Sequence, residues 1–184
     1  MAKDKHKKVQ KKSLQQQYQS CPRANFLKRA GAYIYDLFAV SALLMLAGIL
    51  AIIVVIIADN TGLINLDAYR DVADYLASSQ IFALYLAIVL IGFYGYFWTK
   101  AGQTIGMKAW RLRVQNSDGS NISFTQSLIR MATSAFGLGN ILVFFGNKSA
   151  FQDQWAECEM VVLTKELSRW KGFKGMAFMD QDEK

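Results

Sequence analysis

The chain has 184 residues, with 21 Lys and Arg against 14 Asp and Glu, giving a formal net charge of +7. Hydrophobic residues make up 53% and charged residues only 19%, where an ordinary soluble domain carries roughly 25% charged residues. One histidine (His6) and two distant cysteines (Cys21 and Cys158) supply no zinc spacing and no His-based catalytic set, and no Gly-rich phosphate loop occurs, so no metal, no cofactor and no enzyme activity are expected.

Residues 1–29 hold nine basic side chains (Lys3, Lys5, Lys7, Lys8, Lys11, Lys12, Arg23, Lys28, Arg29) and one acid, Asp4. Residues 1–22 read as a disordered basic arm, being polar and poor in apolar groups. A basic arm can bind nucleic acid, but here a membrane helix follows. The reading preferred is a cytoplasmic retention signal, with no nucleic-acid partner.

Leu37 to Ala58 is a run of 22 residues without a charge. At about 1.5 Å per residue it covers a hydrocarbon core of about 30 Å. It has no polar face, which excludes a buried soluble helix. It is too long, and begins too far into the chain, for a cleaved signal peptide. A second uncharged run, Ile81 to Thr99, ends in Gly92-Phe-Tyr-Gly-Tyr-Phe-Trp98. Tyr96 and Trp98 there mark a membrane interface or an aromatic patch between helices. The third run, Met131 to Gly146, is interrupted by Gly137, Gly139 and Asn140. It is either a short third span or a re-entrant element, since irregular backbone at depth needs cover from protein or water.

The loop between the first two spans carries Asp59, Asp67, Asp71 and Asp74 against Arg70, and the next loop carries Lys100, Lys108, Arg111, Arg113 and Arg130 against Asp118. The positive-inside rule puts the N-terminus and the 100–130 loop in the cytoplasm. A full third span puts the C-terminus outside, whereas Lys165, Arg169, Lys171 and Lys174 favour inside; a re-entrant segment reconciles the two. Within the loop, Trp110 to Val114 alternates as a strand, Asn116-Ser-Asp-Gly119 is a turn, and Ile122 and Phe124 alternate again. This predicts a small cytoplasmic β-hairpin. Lys108, Arg111 and Arg113 form its basic, membrane-surface face, toward anionic headgroups of the lipid bilayer or a phosphate-bearing ligand. Glu159 to Leu163 is a candidate third strand. Residues 165–184 read as a polar C-terminal tail.

Asp36 lies in an otherwise uncharged stretch, Ala32 to Ala58. Arg29 is seven positions earlier, close to two turns, so both fall on one helix face about 10 Å apart. Ionisable groups in membrane segments face the protein interior and find partners. Asp36 reads either as an ion-binding carboxylate or as a structural clamp. Arg130 and Asp153 flank the third run. Together the four residues have the composition of an ion-pair network.

Several of these motifs resemble the RDD family of membrane proteins. Arg29-Ala-Gly-Ala-Tyr-Ile-Tyr-Asp36 is similar to the family's opening helix, and Gly102-Gln-Thr-Ile-Gly-Met-Lys108 with the Asp118-Gly119 turn is similar to its Gly-x-Thr-x-Gly-x-Lys segment. Arg130 matches the Arg before the third hydrophobic segment, and Asp153 matches the family's second Asp. The resemblance covers about residues 23–164. The chain departs from it at Ala156-Glu157-Cys158, where the family often has Ala-Gly-Thr.

The expected protein is therefore an all-α integral membrane protein with a small cytoplasmic β element, in the bacterial cytoplasmic (inner) membrane, with its N-terminus cytoplasmic. What the resemblance implies is transport of an unidentified ligand, including cation/proton exchange. Arg29, Asp36, Arg130 and Asp153 are the candidate ligand- or ion-binding residues. Three hydrophobic segments are few for a pathway, so transport requires a homo-oligomer. The alternative is a non-transporting scaffold or assembly factor that binds a partner protein.

Overall fold

The computed structural model describes residues 14–134, 140, 143 and 149–170. Residues 1–13 of the expected arm, most of the third hydrophobic run and the tail beyond residue 170 lie outside the described residues. Residues 14–22, expected to be disordered, are instead helical at 14–19 with Tyr18 and Cys21 buried, because these two side chains pack on Val161 and Leu163. The chain divides into two compact units, Leu37–Tyr94 and the residues on either side of it.

Two helices are long and apolar enough to cross a bilayer: α1, Phe26–Asn60, and, after the short α2, Val72–Ser78, the helix α3, Gln80–Lys100. Both expected spans are present. Only 11% of the most apolar window of each is buried, so their side chains face outward along most of their length. In the unit Leu37–Tyr94, the Tyr85 hydroxyl donates to the Ala47 carbonyl at 3.4 Å. Asp71 caps α2 by accepting from the Asp74 backbone N–H at 2.8 Å, which satisfies one of the donors a helix start leaves open.

The other unit is built on a two-stranded antiparallel sheet. Strand β1, Leu112–Gln115, pairs with β2, Glu159–Val162, with Leu112 opposite Val162 and Val114 opposite Met160. Residues 22–24 continue the ladder on β2. The Val162 N–H donates to the Pro22 carbonyl and the Ala24 N–H to the Met160 carbonyl, both at 2.8 Å. Leu112, Val114 and Val161 are fully buried, and Tyr18, Cys21 and Leu163 pack beside Val161.

The strand expected at Trp110–Val114 is present as β1, but its hairpin partner is not. Ile122 and Phe124 do not pair with it; Glu159–Val162, the candidate third strand, does. The reason is a helix signal that overrides the alternation. Ser123 and Gln126 form a capping box, Gln126 N–H to Ser123 Oγ at 3.2 Å and Ser123 N–H to Gln126 Oε1 at 2.8 Å, which starts a helix here. Helix α5, which follows the short α4 (Ile105–Ala109), therefore runs Phe124–Ser134. It packs against α6, Phe151–Trp155. After β2, α7 occupies Lys165–Trp170, within the stretch expected as a tail.

Candidate functional site: a buried ion triad and a capped carboxylate

Arg29 comes from the first turn of α1, Arg130 from α5 and Asp153 from the middle of α6. Their side chains are 1–2% exposed. Arg29 Nη2 lies 2.6 Å from Asp153 Oδ2, and Arg130 Nη1 pairs with Asp153 Oδ1. Each carboxylate oxygen thus has its own guanidinium. The other two Arg29 nitrogens are also engaged. Arg29 Nε donates to the Ala24 carbonyl at 3.1 Å and its Nη1 to Asn140 Oδ1 at 3.4 Å. Gln152 Nε2 donates to that same Asn140 oxygen at 2.9 Å. The Arg130 guanidinium lies over the Trp98 ring, 5.3 Å from its centroid, a cation–π contact in a desolvated place.

The triad carries two positive charges and one negative. Burial alone would push the Asp153 carboxyl up, but Arg130 and Arg29 reverse this and hold it below the usual carboxylate range. The nearby thiol does not supply the second negative charge: burial raises Cys158 despite the pull of Arg130. Cys158 Sγ instead accepts from Arg130 Nη1 at 3.1 Å. The departure at Cys158 from the resembled Ala-Gly-Thr thus still places a hydrogen-bond acceptor beside Arg130. Glu157 takes φ +50°, the left-handed backbone that favours glycine.

Asp36 is 5% exposed, and it does not join the triad. Its Oδ2 accepts from Thr104 Oγ1 at 2.5 Å and its Oδ1 from the Gly106 N–H at 2.8 Å. Thr104 Oγ1 in turn accepts from the Met107 N–H at 3.2 Å, capping α4. No ion pair reaches Asp36 among the described residues. The expectation that Arg29 and Asp36 share a buried face holds, but each has a partner elsewhere in the chain.

The Gly-x-Thr-x-Gly spacing is explained by this contact. Gly102 adopts φ +69° and its carbonyl accepts from the Val114 N–H at 2.8 Å, so the loop turns back onto β1. Thr104 presents its hydroxyl to Asp36. At Gly106 a Cβ would sit 2.7 Å from the Asp36 backbone nitrogen, and closer still to the Ala32 carbonyl oxygen. Only glycine lets α4 approach α1 this closely.

The three basic residues assigned to the membrane surface separate. Arg111 is exposed and Lys108 is half-buried. Arg113 is buried, a correction to the expected headgroup-facing strand. Its guanidinium lies 4.1 Å from the centroid of the Tyr18 ring, and it donates to the Ala101 carbonyl at 2.9 Å and to Asn121 Oδ1 at 2.5 Å. The physical cause is that β1 is buried along its whole length, Leu112 to Gln115, with Tyr18 lying against Arg113, so alternation along this strand does not separate water from core. Tyr96 and Trp98 also divide, the first 59% exposed and the second 7%.

Sequence reasoning missed Thr104, Gly106 and Cys158 as site partners. The first two lay inside a motif already visible, and the Thr-Ile-Gly run before a short helix was the signal for a capped anion. The sequence model of the RDD family matches residues 23–157. Neither a curated protein nor a solved structure matches the chain.

Proposed function

This chain belongs to the RDD family, and we propose that it is a membrane protein that moves a small cation in exchange for protons, as a homo-oligomer. The observation that carries the reading is Asp36, a buried carboxylate inside a membrane span that is held by a hydroxyl and one amide and by no cation among the described residues. Such a carboxylate has no standing cationic partner to displace when it takes a proton or a metal ion, whereas Asp153 is already committed to two arginines. Two spans that bury little of their surface leave room for neighbouring copies to complete a pathway.

The proposed topology has the N-terminus in the cytoplasm of a bacterial inner membrane, with the third hydrophobic run re-entrant. Two pairings support the re-entrant third run. β1 lies between the second span and α5, β2 lies beyond the third run, and the two strands share a ladder. Residues 22–24, before α1, bond to the same β2. A chain that leaves and returns to one sheet crosses the membrane an even number of times in between.

The test is flux in proteoliposomes. Replacing Asp36 with Asn is expected to abolish proton-coupled cation movement while leaving the protein folded. Equal flux in variant and parent sinks transport. It would turn the reading to the second candidate, a scaffold or assembly factor, which the closure of the Arg29–Asp153–Arg130 cluster favours.

A further inference from the structure

We infer that α5 and α6 lie in the bilayer interface, with their apolar side chains against lipid and the ion triad roofed beneath them. The polarity of both helices is reversed relative to a water-soluble fold. In α5 the buried residues are Ser127 and Arg130, while Phe124 is 52% and Leu128 37% exposed. In α6 the buried residues are Gln152 and Asp153, while Phe151 is 40% and Trp155 62% exposed. Large apolar and aromatic side chains at i and i+4 face out, and charged ones face in. In water this order costs free energy twice, because apolar groups are wet and charges are dry. Against lipid it is the favourable order. An interfacial helix buries one apolar face at the headgroup–acyl boundary, where Trp is enriched.

The surface is continuous with the spans. Phe124 stacks directly on Gly95 of α3, where a Cβ would come within 2.6 Å of the ring. Trp110 fills the space beside Gly31 of α1, and its ring meets Tyr35 edge-on at 6.3 Å. Tyr35 and Trp110 are 54% and 38% exposed. The two glycines therefore bring Phe124 and Trp110 against the ends of α3 and α1. Basic residues Lys100 and Arg111 are exposed in the same unit, as expected beside anionic headgroups. The inference needs α1 and α3 to cross a bilayer and does not need transport.

The experiment places a nitroxide at Leu128→Cys or, separately, Trp155→Cys in the full chain, in nanodiscs of mixed phosphatidylcholine and phosphatidylglycerol. The parent, carrying Cys21 and Cys158, sets the labelling background. Collision with oxygen is expected to exceed collision with a water-soluble nickel chelate at both sites, as at a Val54→Cys control in α1. An Asp118→Cys control in the exposed turn is expected to show the reverse. Water-like values at positions 128 and 155, with Val54 lipid-like, overturn the inference alone. Dipolar broadening at 128 or 155 also overturns it, because a second copy then covers the face. Water-like values at Val54 remove the membrane reading and this inference with it.

Discussion

Asp36 accepts a 2.8 Å hydrogen bond from the backbone of Gly106, seventy residues further along the chain. The contact fixes the loop after the second span onto the first helix. Replacing Gly106 with Ala forces a Cβ into the Ala32 carbonyl and the Asp36 backbone, an overpacking typically worth about 1–3 kcal/mol. Thermal unfolding in detergent is expected to shift down accordingly, and an unchanged midpoint would show that the helices are not in contact there.

The triad has an excess of one positive charge, so its members are not equivalent. Asp153→Asn leaves two buried guanidiniums without a counter-charge, a loss of about 3–5 kcal/mol for a broken buried pair. Arg29→Gln leaves Arg130 and Asp153 as a neutral pair and is expected to cost less. Comparing the two variants in the same denaturant titration gives the order, and a reversed order would contradict the charge count.

Acid stability follows from the same residue. The Asp153 carboxyl is held below its usual range by two arginines, against the opposing effect of burial. A depressed carboxylate contributes stability that is present above its unfolded value, about 3.9, and lost as pH falls through its folded value. The parent is therefore expected to unfold in acid below that range. Arg29→Gln removes one of the two causes and moves the acid midpoint upward. Coincident acid transitions in the two proteins would rule out Arg29 as a cause.

Glu157 and Cys158 give a paired prediction. Glu157→Gly relieves a left-handed residue and is expected to stabilise by about 1 kcal/mol. Cys158→Val removes the sulfur acceptor of Arg130, and an unsatisfied buried donor costs about 1–3 kcal/mol. Cys158→Thr keeps an acceptor and is expected to stay near the parent. Because burial raises the Cys158 thiol, its alkylation at neutral pH is expected to be slower than that of a free cysteine, and a matching rate would contradict the burial.

Both spans were legible because an uncharged run of helical length has few other meanings, and Arg29, Asp36, Arg130 and Asp153 were legible because charge beside such runs is rare. Their pairing was not. Spacing on α1 pointed Arg29 at Asp36, but each found its partner through contacts far along the sequence, Asp153 at one and Thr104 with Gly106 at the other. The β-hairpin failed for a local reason, since Ser123 and Gln126 cap a helix that two alternating apolar residues could not outweigh. Arg113 was misplaced because alternation assumes a strand wet on one side, and β1 is covered on both.

The pairing of Arg29 with Asp153 also sets an order of events during synthesis. Arg29 is made with the first helix, and its carboxylate about 120 residues later. At about 5–20 residues per second the wait is on the order of ten seconds. Through that interval the arginine has no permanent counter-charge, and the ladder between residues 22–24 and β2 is still open. A chain cut short before position 153 therefore never supplies the carboxylate that Arg29 pairs with in the finished protein.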